Sequence, residues 1–103
     1  MTLVTAPDEA TGRVLAKTLV ENKVAACVNI LPGVTSVYSW EGKVEEEGEV
    51  LLLIKSASGE EERQILWETV REHHPYDTPE FVQVDANFVE PTYRDWVLAN
   101  TSS

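Results

Sequence analysis

Apolar residues fall along this chain in two different rhythms, and their alternation sets out the fold. From Glu9 to about Asn22 the apolar positions Leu15, Ala16, Leu19 and Val20 gather on one side at helical spacing, with Arg13, Lys17, Thr18 and Glu21 away from it. Asp8 can cap this helix and Glu9 suits its positive end. Gly12 lies on the apolar side, where the missing side chain lets the helix approach a sheet closely. A second helix opens on Glu60, Glu61 and Glu62, with Ser58 as a possible cap. Its predicted buried stripe is Ile65, Leu66, Thr69, Val70 and His73. Pro75 ends it, because a residue before proline is biased out of helical geometry.

Between the helices the rhythm is extended. The run from Ala25 to Ser56 reads as two strands joined at Trp40-Glu41-Gly42-Lys43, where Gly42 supplies the positive φ of a tight turn. Sixteen residues from Ala25 to Trp40, at about 3.3 Å each, span roughly 50 Å. A domain of this length is only about 35 Å across. The hairpin therefore bends or projects beyond its own domain, and a projecting hairpin is best covered by another copy of the chain. Pro32-Gly33 predicts a kink in its first strand, since proline tolerates only edges and bulges. Past the kink, Val34, Ser36, Tyr38 and Trp40 share one face. Val44 to Glu49 is acidic and predicts an exposed stretch. Val50 to Ile54 is apolar on both faces, as in a strand covered on both sides.

Thr2 to Thr5 and Phe81 to Ala86 add a first and a fourth strand, Pro91 opens a short last helix, and Thr101-Ser102-Ser103 predicts a loose tail. The order β-α-β-β-α-β-α is that of an α+β, ferredoxin-like sandwich: a four-stranded antiparallel sheet, both main helices on one face, a long hairpin between the second and third strands and a short C-terminal helix. The other sheet face then needs a cover, and a subunit contact is the expected one.

Length and charge narrow the function. The 103 residues predict a single domain spanning 1–103. The net charge of −10 argues against nucleic acid, whose phosphates need a basic face. No apolar run is long enough to span a membrane and no leader pattern is visible, so no membrane partner is expected. The single Cys27 cannot form an internal disulfide and suits a reducing compartment. It reads as a small core residue in an apolar strand.

Three groups could carry chemistry. His73 and His74, before Pro75 and Tyr76, are the densest, since imidazoles ligate copper or zinc. The bland alternative packs His73 under the helix and ties His74 into the turn. Lys55, ending the apolar strand, could hold an anion. Trp40, Tyr38 and Tyr76 could wall a ligand cleft with it, or anchor an interface. The glutamates from Glu45 to Glu49 lack the spacing of a calcium loop and read as a solvated face. No catalytic triad order, phosphate loop or dinucleotide fingerprint is present, so a non-enzyme is expected.

The stretches TAPDEAT, AACVNILPGVTSVYSWEGKVEE, EVLLLIKS and HHPYDTPE together resemble the CutA1 family of divalent-ion tolerance proteins, from about Thr2 to Trp96. The resemblance implies the ferredoxin-like fold, a cytoplasmic homotrimer whose long hairpins pair with neighbouring subunits, and a link to copper tolerance. It implies copper ligands at His73 and His74. The cysteine that completes that ligand set is replaced by Val4 here, which removes the donor most selective for Cu(I). The chain also departs in its short first strand and in lacking a glycine between Asp85 and Pro91. Tyr93 and Trp96 keep the family's spacing. A trimeric sensor binding an anionic metabolite in inter-subunit clefts, and a structural trimer that works through its partners, are the alternatives.

Overall fold

Two helices lie on one face of a four-stranded antiparallel sheet in a computed structural model that describes residues 1–101. The elements are β1 (Thr2–Ala6), α1 (Glu9–Glu21), β2 (Cys27–Trp40), β3 (Lys43–Lys55), α2 (Glu60–His73), β4 (Val82–Gln83) and α3 (Pro91–Ala99). Strand order is β2-β3-β1-β4, the ferredoxin-like order in which each βαβ crossover returns past a central strand.

The core forms between the helices and one face of the central strands. Val4 and Ala6 of β1 and Val50, Leu52 and Ile54 of β3 meet Leu15, Leu19, Leu66 and Val70 from the helices. Val50, Leu52 and Ile54 are consecutive even positions, so one face of β3 is dry. The odd positions Leu51 and Leu53 on the other face are only half-buried. Gly12 is what brings α1 down onto this sheet. A Cβ there would stand 3.0 Å from Val50 Cγ2 and 3.4 Å from Leu52 Cδ2.

Helix ends follow local chemistry. The Asp8 side chain accepts from the Thr11 backbone N–H at 2.7 Å, and that hydrogen bond holds its carboxyl below the usual carboxylate range. Glu90 caps α3 by accepting from the N–H groups of Thr92 and Tyr93, with the same downward effect. The cap of α2 is Gly59 rather than Ser58, and it has no side-chain bond. The three glutamates in the first turn supply the negative charge there.

The hairpin has the expected turn and kink. Glu41 and Gly42 both take positive φ, 50° and 79°, so the turn twists with its strands. At the kink, Leu31 pairs with Leu51 and Val34 with Glu49, so two residues of β2 oppose Val50 alone. Gly33, at φ 74°, makes this bulge possible. The bulge also changes which residues face outward. Asn29 and Leu31 before it, and Ser36, Tyr38 and Trp40 after it, all stand opposite odd-numbered residues of β3, on the face away from the helices. The molecule measures 44 × 27 × 24 Å, its long axis close to the roughly 46 Å that fourteen extended residues reach.

Four expectations need correction. Ile65 and His73 are exposed rather than buried, because each residue turns about 100° around a helix and only Leu66 and Val70 point squarely at the sheet. Trp67 lies beside them and meets Phe81 edge-on at 5.1 Å. The fourth strand is only Val82–Gln83, since its ladder holds just the pairs Thr2–Gln83 and Leu3–Val82. Val84 and Met1 extend it by mutual backbone bonds. Glu49 is buried within the stretch expected to be exposed, because the chain after α2 folds over it. Thr101 is buried, its hydroxyl donating to the Val97 carbonyl at 2.7 Å; Ser102 and Ser103 of the expected loose tail lie outside the described residues.

Candidate functional site

The end of α2 places its two histidines in opposite settings. His73 is the last helical residue and its ring stands in solvent. Its Nδ1 lies 2.9 Å from the Thr69 carbonyl, one helical turn back. A carbonyl can only accept, so Nδ1 carries the hydrogen and the Nε2 lone pair points outward. Metal-ligating histidines commonly have this arrangement, with the second nitrogen anchored to a carbonyl.

His74 has left the helix at ψ 136°, as the residue before Pro75 should. Its ring is buried, 8% exposed, and both nitrogens are occupied. Nδ1 accepts from the Tyr76 N–H at 3.1 Å, which leaves the hydrogen on Nε2 to be donated to the Thr5 carbonyl at 2.7 Å. The ring therefore pins the turn after α2 to the end of β1. It offers no lone pair to a metal while those two bonds stand. Val4, the neighbour of Thr5, faces the core and brings no donor.

Among the described residues no three His, Cys, Asp or Glu side chains come close enough together to hold a metal ion. The ligands implied by resemblance thus do not form a chelate within one chain. His73 lies in a shallow hollow with Glu72 beside it and Thr11 and Val14 of α1 across it, short of the three donors a metal site needs. Cys27 is free and half-buried. It sits beside Tyr93, whose hydroxyl is pushed upward in pKa by burial and by that thiol.

The aromatic residues meet elsewhere. Tyr38 and Trp40 from the outer hairpin and Tyr76 from the turn after α2 wall one groove of about 800 Å³. Five carboxylates also line it, Glu45, Glu47 and Glu49 on β3 and Asp77 and Glu80 after α2, together with the uncharged Thr5, Ser36, Val37 and Thr78. The Tyr76 hydroxyl donates to Glu49 Oε2 at 2.9 Å. Burial, then this bond, raises the Tyr76 pKa above its ordinary value of 10.0. Glu47 does the same to Tyr38, chiefly through a hydrogen bond.

Lys55 does not join this groove within one chain. It pairs with Cys27 at the far end of the hairpin, six residues and about 20 Å along the strand from Glu49. Its ammonium is bonded to the Asn29 side chain. Trp40 and Tyr76 line one groove of negative charge, while Lys55 stands apart from it. The groove was not legible from sequence as an acidic site. Glu45, Glu47 and Glu49 do alternate on one strand face, but that Tyr76 folds onto Glu49 across 27 positions has no local signature.

Comparison with known proteins covers the whole of this arrangement. The sequence profile described as CutA1 divalent ion tolerance protein matches residues 1–100. The chain is similar to the divalent-cation tolerance protein CutA of Yersinia pestis (strain Pestoides F), with 45% identity over 98 residues, 95% of this chain and 81% of that protein. The structure is similar to the divalent cation tolerance protein (Cut A1) from Thermus thermophilus, with TM-score 0.92 and 44% identity over 98% of this chain and 96% of that one. It is also similar to CutA1 from Oryza sativa, with TM-score 0.92 and 40% identity over 98% and 91% of the two chains.

Proposed function

The chain belongs to the CutA1 divalent ion tolerance protein family, and from that premise we propose that it is a non-catalytic cytoplasmic homotrimer that binds divalent cations, copper among them, with His73 as the ligand each chain contributes. The observation that carries the metal reading is the His73 ring, its Nδ1 anchored on the Thr69 carbonyl and its Nε2 free toward solvent. One imidazole per chain binds weakly and with little selectivity among N-ligating metals. A site of higher denticity needs His73 from more than one chain, or donors from solvent. His74 acts through position: it holds the turn on which His73 stands.

Assembly is supported by what one chain leaves uncovered. Leu31 is exposed and Leu51 and Leu53 are half-buried on the sheet face away from the helices, and Val37, Trp40 and Val44 stand exposed on the projecting hairpin. Such surface on a small chain is the signature of an interface. The lone free thiol of Cys27 supports a reducing location. The alternative, a sensor for an anionic metabolite, draws less support from one chain, because the aromatic groove is lined with carboxylates and lacks Lys55.

Calorimetric titration of Cu(II) into the untagged protein tests the metal reading. His73→Ala is expected to weaken binding at least about tenfold, while His74→Ala, compared under conditions where it stays folded, changes affinity less. Equal affinity in wild type and His73→Ala would remove that ring from the site.

A further inference from the structure

The copper ligand set implied by the family resemblance does not come together in this chain, and the mismatch bears on the form of metal the chain can take. Both nitrogens of His74 are bonded to backbone groups. Val4 is a core residue with no donor. No three His, Cys, Asp or Glu side chains among the described residues are grouped for a metal ion. Of the two histidines, only His73 offers a lone pair, at Nε2, because its Nδ1 is held on the Thr69 carbonyl.

Copper(II) prefers a tetragonal arrangement of N and O donors, and one imidazole fills one position of it. A small molecule with several linked donors holds the ion far more tightly than one ring does, because its later donors bind intramolecularly. Where such chelators are present, a lone imidazole loses the bare ion to them. It can still take the last open position on an ion already chelated. The surroundings of His73 suit such a guest. The ring lines a hollow of about 410 Å³, and a water molecule takes only about 30 Å³, so an ion fits there together with an organic ligand. Ala10, Val14 and Pro75 give the hollow an apolar wall for a chelator's carbon skeleton, and Glu72 disfavours an anionic complex. The hollow lies between α1 and the end of α2, on the helix side of the sheet and away from the hairpin. We propose that His73 takes copper(II) as a neutral or cationic chelate with a small tridentate N/O ligand of amino-acid or peptide type, rather than as the bare ion. Nε2 closes the position that the chelator leaves open. This rests on the reading of His73 as a metal ligand and names what that site binds.

Calorimetric titration of preformed Cu(II)–iminodiacetate, a neutral tridentate complex, into the untagged protein in its native assembly tests the proposal. Cu(II)–EDTA, whose chelator leaves no position for the ring, is the control and is expected not to bind. The expected result with iminodiacetate is saturable binding of one complex per chain, weakened at least about tenfold in His73→Ala. The copper electron paramagnetic resonance spectrum of the complex should change as a ring nitrogen enters its plane. Val14→Arg, at an exposed position across the hollow, is expected to weaken binding several-fold by filling it, with circular dichroism confirming the fold. Equal affinity in wild type and Val14→Arg would overturn the proposal, because the ring would then bind as any exposed imidazole does. So would bare Cu(II) held at fewer than one ion per chain and not stripped by iminodiacetate, which would assign the metal to rings of several chains. Bare Cu(II) binding that depends on His73, with no binding of the complex, would overturn the proposal and leave the metal reading standing. Indifference of both forms to His73→Ala would overturn both.

Discussion

His74 shows how one side chain can be structural while its neighbour is free for chemistry. Its ring bridges the Tyr76 N–H and the Thr5 carbonyl, two backbone groups with no ladder partner for those bonds. Removing it orphans both in a buried setting, so His74→Ala is expected to cost about 1–3 kcal/mol, read as a lower midpoint in urea unfolding. His73→Ala, exposed, is expected to cost little by the same measurement. The sequence showed that His74 precedes a proline and so leaves the helix. It could not show where the ring goes, because the accepting carbonyl lies 69 positions away. Tyr76 gives a second expectation at this scale. Its pKa is raised by burial and by Glu49, so the folded state holds the phenol's proton more tightly than the unfolded chain does. That contribution is complete below the ordinary value of 10.0 and is lost as pH rises above it. Thermal melts on either side of that pH should show a steeper alkaline loss in wild type than in Tyr76→Phe.

At the scale of elements, α1 and the hairpin were the legible parts, and for a shared reason. Each is specified by local periodicity and by a residue whose backbone need is plain: Asp8 at the cap, Gly12 at the contact, Gly33 in the bulge, Gly42 in the turn. Gly12 supports the sharpest test. A side chain there meets Val50 Cγ2 at 3.0 Å before it has extended beyond Cβ. Gly12→Leu is expected to push α1 off the sheet and destabilise by about 1–3 kcal/mol, despite the better helix propensity of leucine. Chemical denaturation measures the balance; a gain in stability would mean the helix does not rest on the sheet. Less legible was β4. Its apolar residues Phe81, Val82 and Val84 suggested six residues of strand, but the ladder depends on how far β1 extends beside it, and only Thr2 and Leu3 pair there. The narrow stripe of α2 was likewise set by which residues the sheet leaves room for, not by the helix's own pattern.

At the scale of the whole molecule, the hairpin divides the chain into a packed half and an exposed half. The inner half of β3 gives Val50, Leu52 and Ile54 to the core. The outer half carries the acidic, aromatic groove and a long strand pair with solvent on both sides. The bulge at Pro32-Gly33 joins the halves and keeps Tyr38 and Trp40 on the groove side, since a slip of one residue would turn them to the other face. The length of this hairpin and the uncovered leucines were both apparent from sequence, and together they carry the central claim that the working form is an assembly of copies. Native mass spectrometry of the untagged protein at micromolar concentration tests it most directly. The predicted result is a single species at three times the 11.5 kDa chain mass, and a species at the mass of one chain would contradict it.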